Sequence, residues 1–393
     1  MNERFNVGFI CPVPPDKNGL TNYIKRFKIL SKRDDLKCFI FTETENPYPV
    51  DDCRIVQIPK GFLFSIIIIF LAVKFRIKIL DVQYIYGLYG KGNNILLRNL
   101  GSAYFIISFL ILCRVFRIRS VVTMHSIISD LSKDSVLNEM KKFSYLNSAI
   151  RLFNRFIVFF SDSLVVLSDN QYKMLESYSK NSKLHLIHHG IDTFNVVREP
   201  HSYFNFLYIG MIRPNKGIDI LLDAFKRLGE KQKNVQLIIA GSGDVSTFSE
   251  YITYFKSVKA KINDMQQRCN LKFYEGWIRE EQISELLKIA DVIIFPYIDA
   301  ANEVSGAAFS YASAGIPYIC SDIPRFNSSF SNGVNAVFFE CCSVNSLYKA
   351  METVMNDLEL RNKLSENLKT MSEKFSWKKN AEAYYNLYLS LTN

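Results

Sequence analysis

The stretch "FNFLYIGMIRPNKGIDILLDAFKRLG", residues 204–229, changes character in its middle. Phe204–Ile209 is a short, nearly unbroken apolar run, the pattern of a buried parallel strand. "RPNKG" then supplies turn chemistry, and the remainder is an amphipathic helix. A strand, a polar loop and a helix make one half-turn of a parallel α/β sheet. Downstream the unit recurs. "VQLIIAG", "LKFYEG", "DVIIFPY", "IPYICSD" and "NAVFFE" read as strands, with helices such as "REEQISELLKIA" between them. Upstream, "NVGFICPV", "LKCFIFT", "DVQYIYG", "RSVVTMH", "DSLVVLS" and "LHLIHHG" read the same way. The alternation loosens only in "IDTFNVVREPHSYFN", residues 191–205, which reads as a linker. The fold class expected is therefore α/β, with two doubly wound parallel-sheet domains in tandem, residues 1–195 and 203–375. A C-terminal helix, 376–393, is placed to pack back toward the first domain. Ligands of such sheets bind at the carboxyl ends of the strands, so a cleft between the domains is expected.

The bulk properties agree. A chain of 393 residues is too long for one ordinary domain, and 48% hydrophobic with 22% charged residues describes a globular protein. The eight cysteines form no C-x-x-C pair and mostly sit in apolar runs, the usage of buried free thiols in a reducing compartment. No spacing suggests a metal site, and no metal or other cofactor is expected. The N-terminus does not read as a signal peptide, and no apolar run reaches the length of a spanning helix. A cytoplasmic location, peripheral at the inner face of the membrane, is expected.

Charge is distributed unevenly. Residues 1–200 hold 27 Lys+Arg against 17 Asp+Glu, so they carry the whole net charge of +10. The first half is thereby expected to meet an anionic partner. Its segments "FLFSIIIIFLAV" (62–73) and "AYFIISFLILC" (103–113) are apolar almost all round and each is followed by basic residues; "RLFNRFIVFF" mixes arginine with aromatics. One reading makes them crossover helices of the domain core. The other lays one face in an anionic lipid surface. Nucleic acid fits less well, because the basic residues are interleaved with aliphatics and no nucleic-acid module is visible.

The chemistry concentrates in the second half. In "NEVSGAAFSYASAGIP", residues 302–317, Ser305, Gly306 and Ala307 open a helix whose first N–H groups and dipole favour an anion. Gly306 permits close approach of the backbone. This stretch, with "YIGMIRPNKGIDILLDAF", "LIIAGSGD" and "YEGWIREEQISELLKIADVIIFPY" in that order, resembles the retaining glycosyltransferases of family 4. The resemblance covers residues 203–340 and is weaker but consistent in "NGLTNYIKRF", "VVTMHS" and "LIHHGID". It implies a GT-B fold and a nucleotide-diphosphate-sugar donor, used without a metal. It also implies retention at the anomeric carbon by front-face displacement, since no side chain presents itself as a nucleophile.

Carried over residue by residue, Lys216 of the Lys216–Gly217 pair reaches the diphosphate. Glu303 contacts the donor sugar, and Gly276 and Trp277 face the nucleobase. Gly19 belongs to the first glycine loop, and His125 is the cleft histidine near the reacting carbon. Two departures stand out. Met211 occupies the place of the family's arginine, with Arg213 two residues later as its replacement. The family's second acid falls on Tyr311 or Ser310. His188 and His189 replace the usual Pro-Asn and receive no chemistry.

The acceptor expected is a saccharide, lipid-linked if the apolar helices meet a membrane, as in surface polysaccharide or lipopolysaccharide assembly. Two alternatives remain open. One is a nucleotide-sugar epimerase of the same fold. The other is a catalytically impaired, membrane-associated glycosyltransferase-like partner.

Overall fold

The computed structural model describes residues 4–16, 19–91, 95–127, 147–178, 183–243, 249–298 and 304–392. Its first sheet contains β1 (Phe5–Ile10), β2 (Leu36–Thr42), β3 (Cys53–Gln57), β4 (Ile77–Tyr84), β5 (Arg119–Met124), β6 (Ser163–Val166) and β7 (Leu184–Leu186). All neighbours are parallel, in the order β3-β2-β1-β4-β5-β6-β7. The second sheet contains β8 (Phe204–Ile209), β9 (Val235–Gly241), β10 (Leu271–Glu275), β11 (Val292–Phe295), β12 (Tyr318–Ser321) and β13 (Val337–Phe339). It too is wholly parallel, in the order β10-β9-β8-β11-β12-β13.

The central strands carry apolar side chains on both faces because both faces are covered by helices. β3 alone was not anticipated. Its sequence, Cys-Arg-Ile-Val-Gln, is only half buried at the sheet edge and lacks the apolar run that announces a central strand. Strand order reverses between β1 and β4 and again between β8 and β11, and the crevice of a doubly wound sheet opens at such points.

The helices Phe64–Lys74, Ile95–Val115 and Asn147–Phe160 lie side by side on one face of the first sheet. The segment read as residues 103–113 extends to a 21-residue helix. Contrary to the sequence reading, its Leu97–Val115 portion is long and apolar enough to cross a membrane by length and composition. One side of it, including Phe105, Ile106, Phe109 and Leu110, is buried on the sheet. It therefore covers a core while its other side faces outward.

The opposite face is covered by the helix Ile24–Ser31 and by the C-terminal helix Trp377–Thr392, whose Tyr384 and Tyr388 are fully buried among first-domain residues. The chain thus crosses from the first sheet to the second and returns. At the return, Trp377 Nε1 donates to Asp192 at 2.7 Å and Asn380 Nδ2 donates to the His188 carbonyl at 2.7 Å. The return segment is tied to the linker by hydrogen bonds as well as by packing. Gly190 in the linker lies so close to the Trp377 ring that a β-carbon there would be 2.2 Å from it.

Candidate functional site

A cleft of about 550 Å³ opens between the two sheets at the carboxyl ends of their strands. The first domain contributes Thr21, Asn22 and Lys25, and the linker contributes Asp192 and Phe194. Gly19 opens the 3₁₀ segment Gly19–Tyr23 that carries Thr21 and Asn22 to the rim. All other lining residues belong to the second domain.

The floor is set by glycines. The ladder between β8, β9 and β10 continues past the strand ends: Gly210 N–H donates to Ala240 O, and Gly276 N–H to Gly241 O, both at 3.0 Å. A β-carbon at Gly241 would lie 1.8 Å from the Gly210 carbonyl oxygen, so only glycine permits this approach.

The loop after β8 is held equally firmly. Lys216 N–H donates to Arg213 O at 2.9 Å, and Ile298 N–H donates to Asn215 O at 3.2 Å. Gly217 has φ +60°, and a β-carbon there would lie 1.9 Å from Pro296 O. This packing fixes Lys216 against the end of β11, where its Nζ stands 3.6 Å from the centroid of the Tyr297 ring. Arg325, at the start of the short helix Pro324–Asn327 after β12, is buried and approaches the same ring at 5.9 Å. Arg213 lines the same wall, with its guanidinium 5.7 Å from the Tyr251 ring. Two cations thus converge on the Tyr297 ring, and Arg213 adds a third on the same cleft wall beside Tyr251.

Ser305, Gly306 and Ala307 line the wall beside them. The Ser305 hydroxyl is occupied, accepting from Ala308 N–H at 3.3 Å as the cap of the six-residue helix Gly306–Tyr311. The donors this turn offers the cleft are therefore the N–H groups of Gly306 and Ala307, which precede the first intrahelical bond. Trp277 is 48% exposed at the rim, and Gly276 before it has φ +123°. Tyr311 and Ser310, where the second acid of the resembled family falls, both line the cleft. Glu303 lies outside the described residues. The carboxylates among the described lining residues are Asp192 and Glu280, and both face Lys25, at 2.7 Å and 3.6 Å. Among the described residues no group of His, Cys, Asp and Glu is placed to hold a metal.

His125 departs from expectation. It follows β5, as the sequence indicates, but its side chain is 8% exposed and does not line the cleft. Its Nε2 lies 3.0 Å from Gln83 Oε1, and Gln83 donates its own amide to Asp81 at 2.7 Å, so His125 Nε2 carries the proton. Burial, then the neighbouring His189 and Arg26, hold the ring neutral, its pKa well below the ordinary histidine range. His125 thus belongs to a buried polar network behind the cleft wall. A strand-end position brought it near the cleft, and the buried polar row on β4 turned it away.

His189, given no chemistry from the sequence, sits closer. It is buried, donates its Nδ1–H to Gly190 O at 2.6 Å, and its Nε2 lies 3.7 Å from the β-carbon position of Gly306. Tyr23 packs edge-on to His125, His189 and Trp377, with centroids at 4.7, 5.1 and 5.2 Å. That ring joins the first helix, the linker and the C-terminal helix beneath the cleft.

Burial depresses the His189 pKa to about 4, against an unfolded value near 6.5. A histidine depressed in the fold takes up its proton more readily when unfolded, so stability is complete above the unfolded pKa and falls as the pH drops toward the folded one. Between pH ~7.5 and ~5 this one group is expected to remove about 2 kcal/mol. Urea unfolding at the two pH values, beside His189→Gln, measures it. An unchanged pH slope in the variant would assign the loss to other groups.

Arg325, Lys25, Asp192 and Tyr297 were missed by sequence reasoning. For Arg325 a signal was present, an Ile-Pro-Arg helix start directly after a strand end. Lys25 and Asp192 carry none, because they lie 167 residues apart in the chain.

Two open parallel sheets facing a shared cleft with their strand ends constitute the GT-B fold, and solved structures of that architecture superpose over nearly the whole chain. The sucrose-phosphate synthase of Thermosynechococcus elongatus matches with a TM-score of 0.78 at 17% identity, covering 99% of each chain. Anabaena HepE, solved in complex with UDP-glucose, matches with a TM-score of 0.70 at 14% identity, covering 98% of this chain and all of that one. Residues 192–371, the second domain and its flanks, match the family model of the glycosyl transferases group 1. The lipopolysaccharide 1,2-N-acetylglucosaminetransferase of Salmonella typhimurium is 26% identical over 180 residues, 45% of this chain and 46% of that protein. The chain spans about half the length of the curated relatives it matches there.

Proposed function

We propose that this protein transfers a sugar from a nucleotide-diphosphate sugar to a saccharide acceptor, with retention at the anomeric carbon. The observation that carries the reading is the convergence of Lys216 and Arg325 on Tyr297 at the end of β11, with Arg213 on the same cleft wall, beside the N–H groups of Gly306 and Ala307. A diphosphate is the ligand that needs fixed positive charge and aimed N–H donors together, and its charge grows as it departs. The half-exposed Trp277 offers a base-stacking edge at the far rim. The group 1 match of residues 192–371 and the UDP-glucose held by the HepE fold support this donor class.

In the proposed step the bond from the anomeric carbon to the diphosphate oxygen breaks. The acceptor hydroxyl oxygen bonds to that carbon from the same face. The hydroxyl proton passes to the departing phosphate, leaving a nucleoside diphosphate. Lys216, Arg213 and Arg325 offset the charge that accumulates there. The Salmonella relative, by its name a lipopolysaccharide transferase, supports an acceptor in cell-surface glycan assembly.

Calorimetric titration of the protein with UDP, GDP and their common sugar conjugates tests the donor site. Saturable binding of one nucleotide series is expected. A folded protein that binds none of them would overturn the reading and leave a non-catalytic scaffold role in its place.

A further inference from the structure

The three adjacent helices on the outer face of the first sheet share a property that core packing does not require. Phe64–Lys74, Ile95–Val115 and Asn147–Phe160 contain five lysines and arginines and no aspartate or glutamate. Their inner sides fill the first-domain core. Their outer sides remain apolar: Ile66 and Phe70 on the first helix, Tyr104 and Ile111 on the second, Leu152 and Phe159 on the third are each more than 40% exposed. Phe70 and Leu152 reach 65% and 68%. An ordinary solvent-facing helix puts charges of both signs at such positions. Apolar residues left outward by three neighbouring helices form a contiguous patch of the kind that marks an interaction surface.

We propose that this three-helix face docks on an anionic lipid bilayer, with its apolar side chains in the interfacial layer and its arginines on the headgroups. Charge selects this occupant. Arg114, Arg117, Arg151 and Arg155 are exposed on or beside the patch, with no acid on the three helices to balance them. Arg114 also lies 5.5 Å from the Phe159 ring, so a cation and an aromatic are presented together, as an interface of headgroups above acyl chains requires. Ile95–Val115 has the length to span a bilayer, but its buried side is committed to the sheet, so it lies along the surface. The proposal rests on the glycosyltransferase reading only for its purpose, which is to bring a lipid-linked acceptor to the cleft. The docking itself does not depend on it.

The test is co-sedimentation of the full chain with vesicles of phosphatidylcholine alone and of phosphatidylcholine with phosphatidylglycerol. Binding is expected to the anionic vesicles and to weaken with added salt. Phe70→Glu with Phe159→Glu is expected to abolish it. Arg114→Gln and Arg151→Gln are each expected to weaken it about fivefold. All four sites are on the surface, so circular dichroism and nucleotide titration should match the parent chain. That match separates loss of docking from failure of the donor site. Vesicle binding that the glutamates leave intact would overturn the proposal, as would no binding at all. So would a dimer in sedimentation velocity that Phe70→Glu dissociates, which would make the patch an interface between copies.

Discussion

Lys216→Ala is expected to lower kcat/KM by about 10²–10³-fold, the cost of removing one preorganised charge from a site where negative charge develops. Donor affinity should fall less, by about tenfold, because a charge-assisted hydrogen bond to the ground-state diphosphate contributes about 1.5 kcal/mol where water can replace it. The asymmetry is the informative part. Lys216 is held on the Tyr297 ring by a loop anchored at Arg213 O and Asn215 O, so it is in place before the donor arrives. The side chain is not needed for the loop to fold, since both anchors are backbone groups. Calorimetry with UDP and steady-state turnover with the conjugate that binds best separate the two effects. Equal losses in affinity and turnover would make Lys216 a ground-state contact only. No loss in either would remove it from the site.

The second large effect concerns the ion pair beneath the first domain. Arg26 and Asp81 have no exposed side-chain surface and meet at 3.1 Å. Asp81 also accepts from Gln83 at 2.7 Å and from the Tyr388 hydroxyl at 2.5 Å. Arg26 lies with its guanidinium 3.7 Å from the Tyr384 ring centroid. Helix Ile24–Ser31, β4 and the C-terminal helix are therefore joined at one buried charge. Asp81→Ala is expected to cost about 3–5 kcal/mol, chiefly by stranding Arg26 without a counter-charge. Adding Arg26→Met should return most of that loss, since a buried apolar pair needs no desolvated ion. Urea unfolding of the two single variants and the double variant gives the coupling. A single variant within about 1 kcal/mol of the parent would show that water reaches the pair.

These two predictions differ in what the sequence offered. Lys216 was legible because its neighbours are local: an apolar strand, an Arg-Pro-Asn-Lys-Gly turn and a helix follow one another within a few residues. Each obeys its own periodicity or turn chemistry. The same locality made all six strands of the second sheet readable, and Gly276, Ser305, Gly306 and Ala307 with them. β3 was lost because an edge strand is half wet and needs no apolar run. The pair Arg26–Asp81 was lost because its members lie 55 residues apart, and each alone looks like a surface charge.

The sequence by itself determined two tandem parallel sheets, the loop that presents Lys216 and the concentration of positive charge in the first half. Those follow from short-range pattern and composition, which one chain carries without help. Tertiary structure alone decided which charges share the cleft. It set Arg325 beside Lys216, paired Lys25 with Asp192, and turned His125 from the cleft into the polar row on β4. Each of these depends on where a distant segment comes to rest, and that is set by the burial of both faces of both sheets at once, a constraint no local stretch contains.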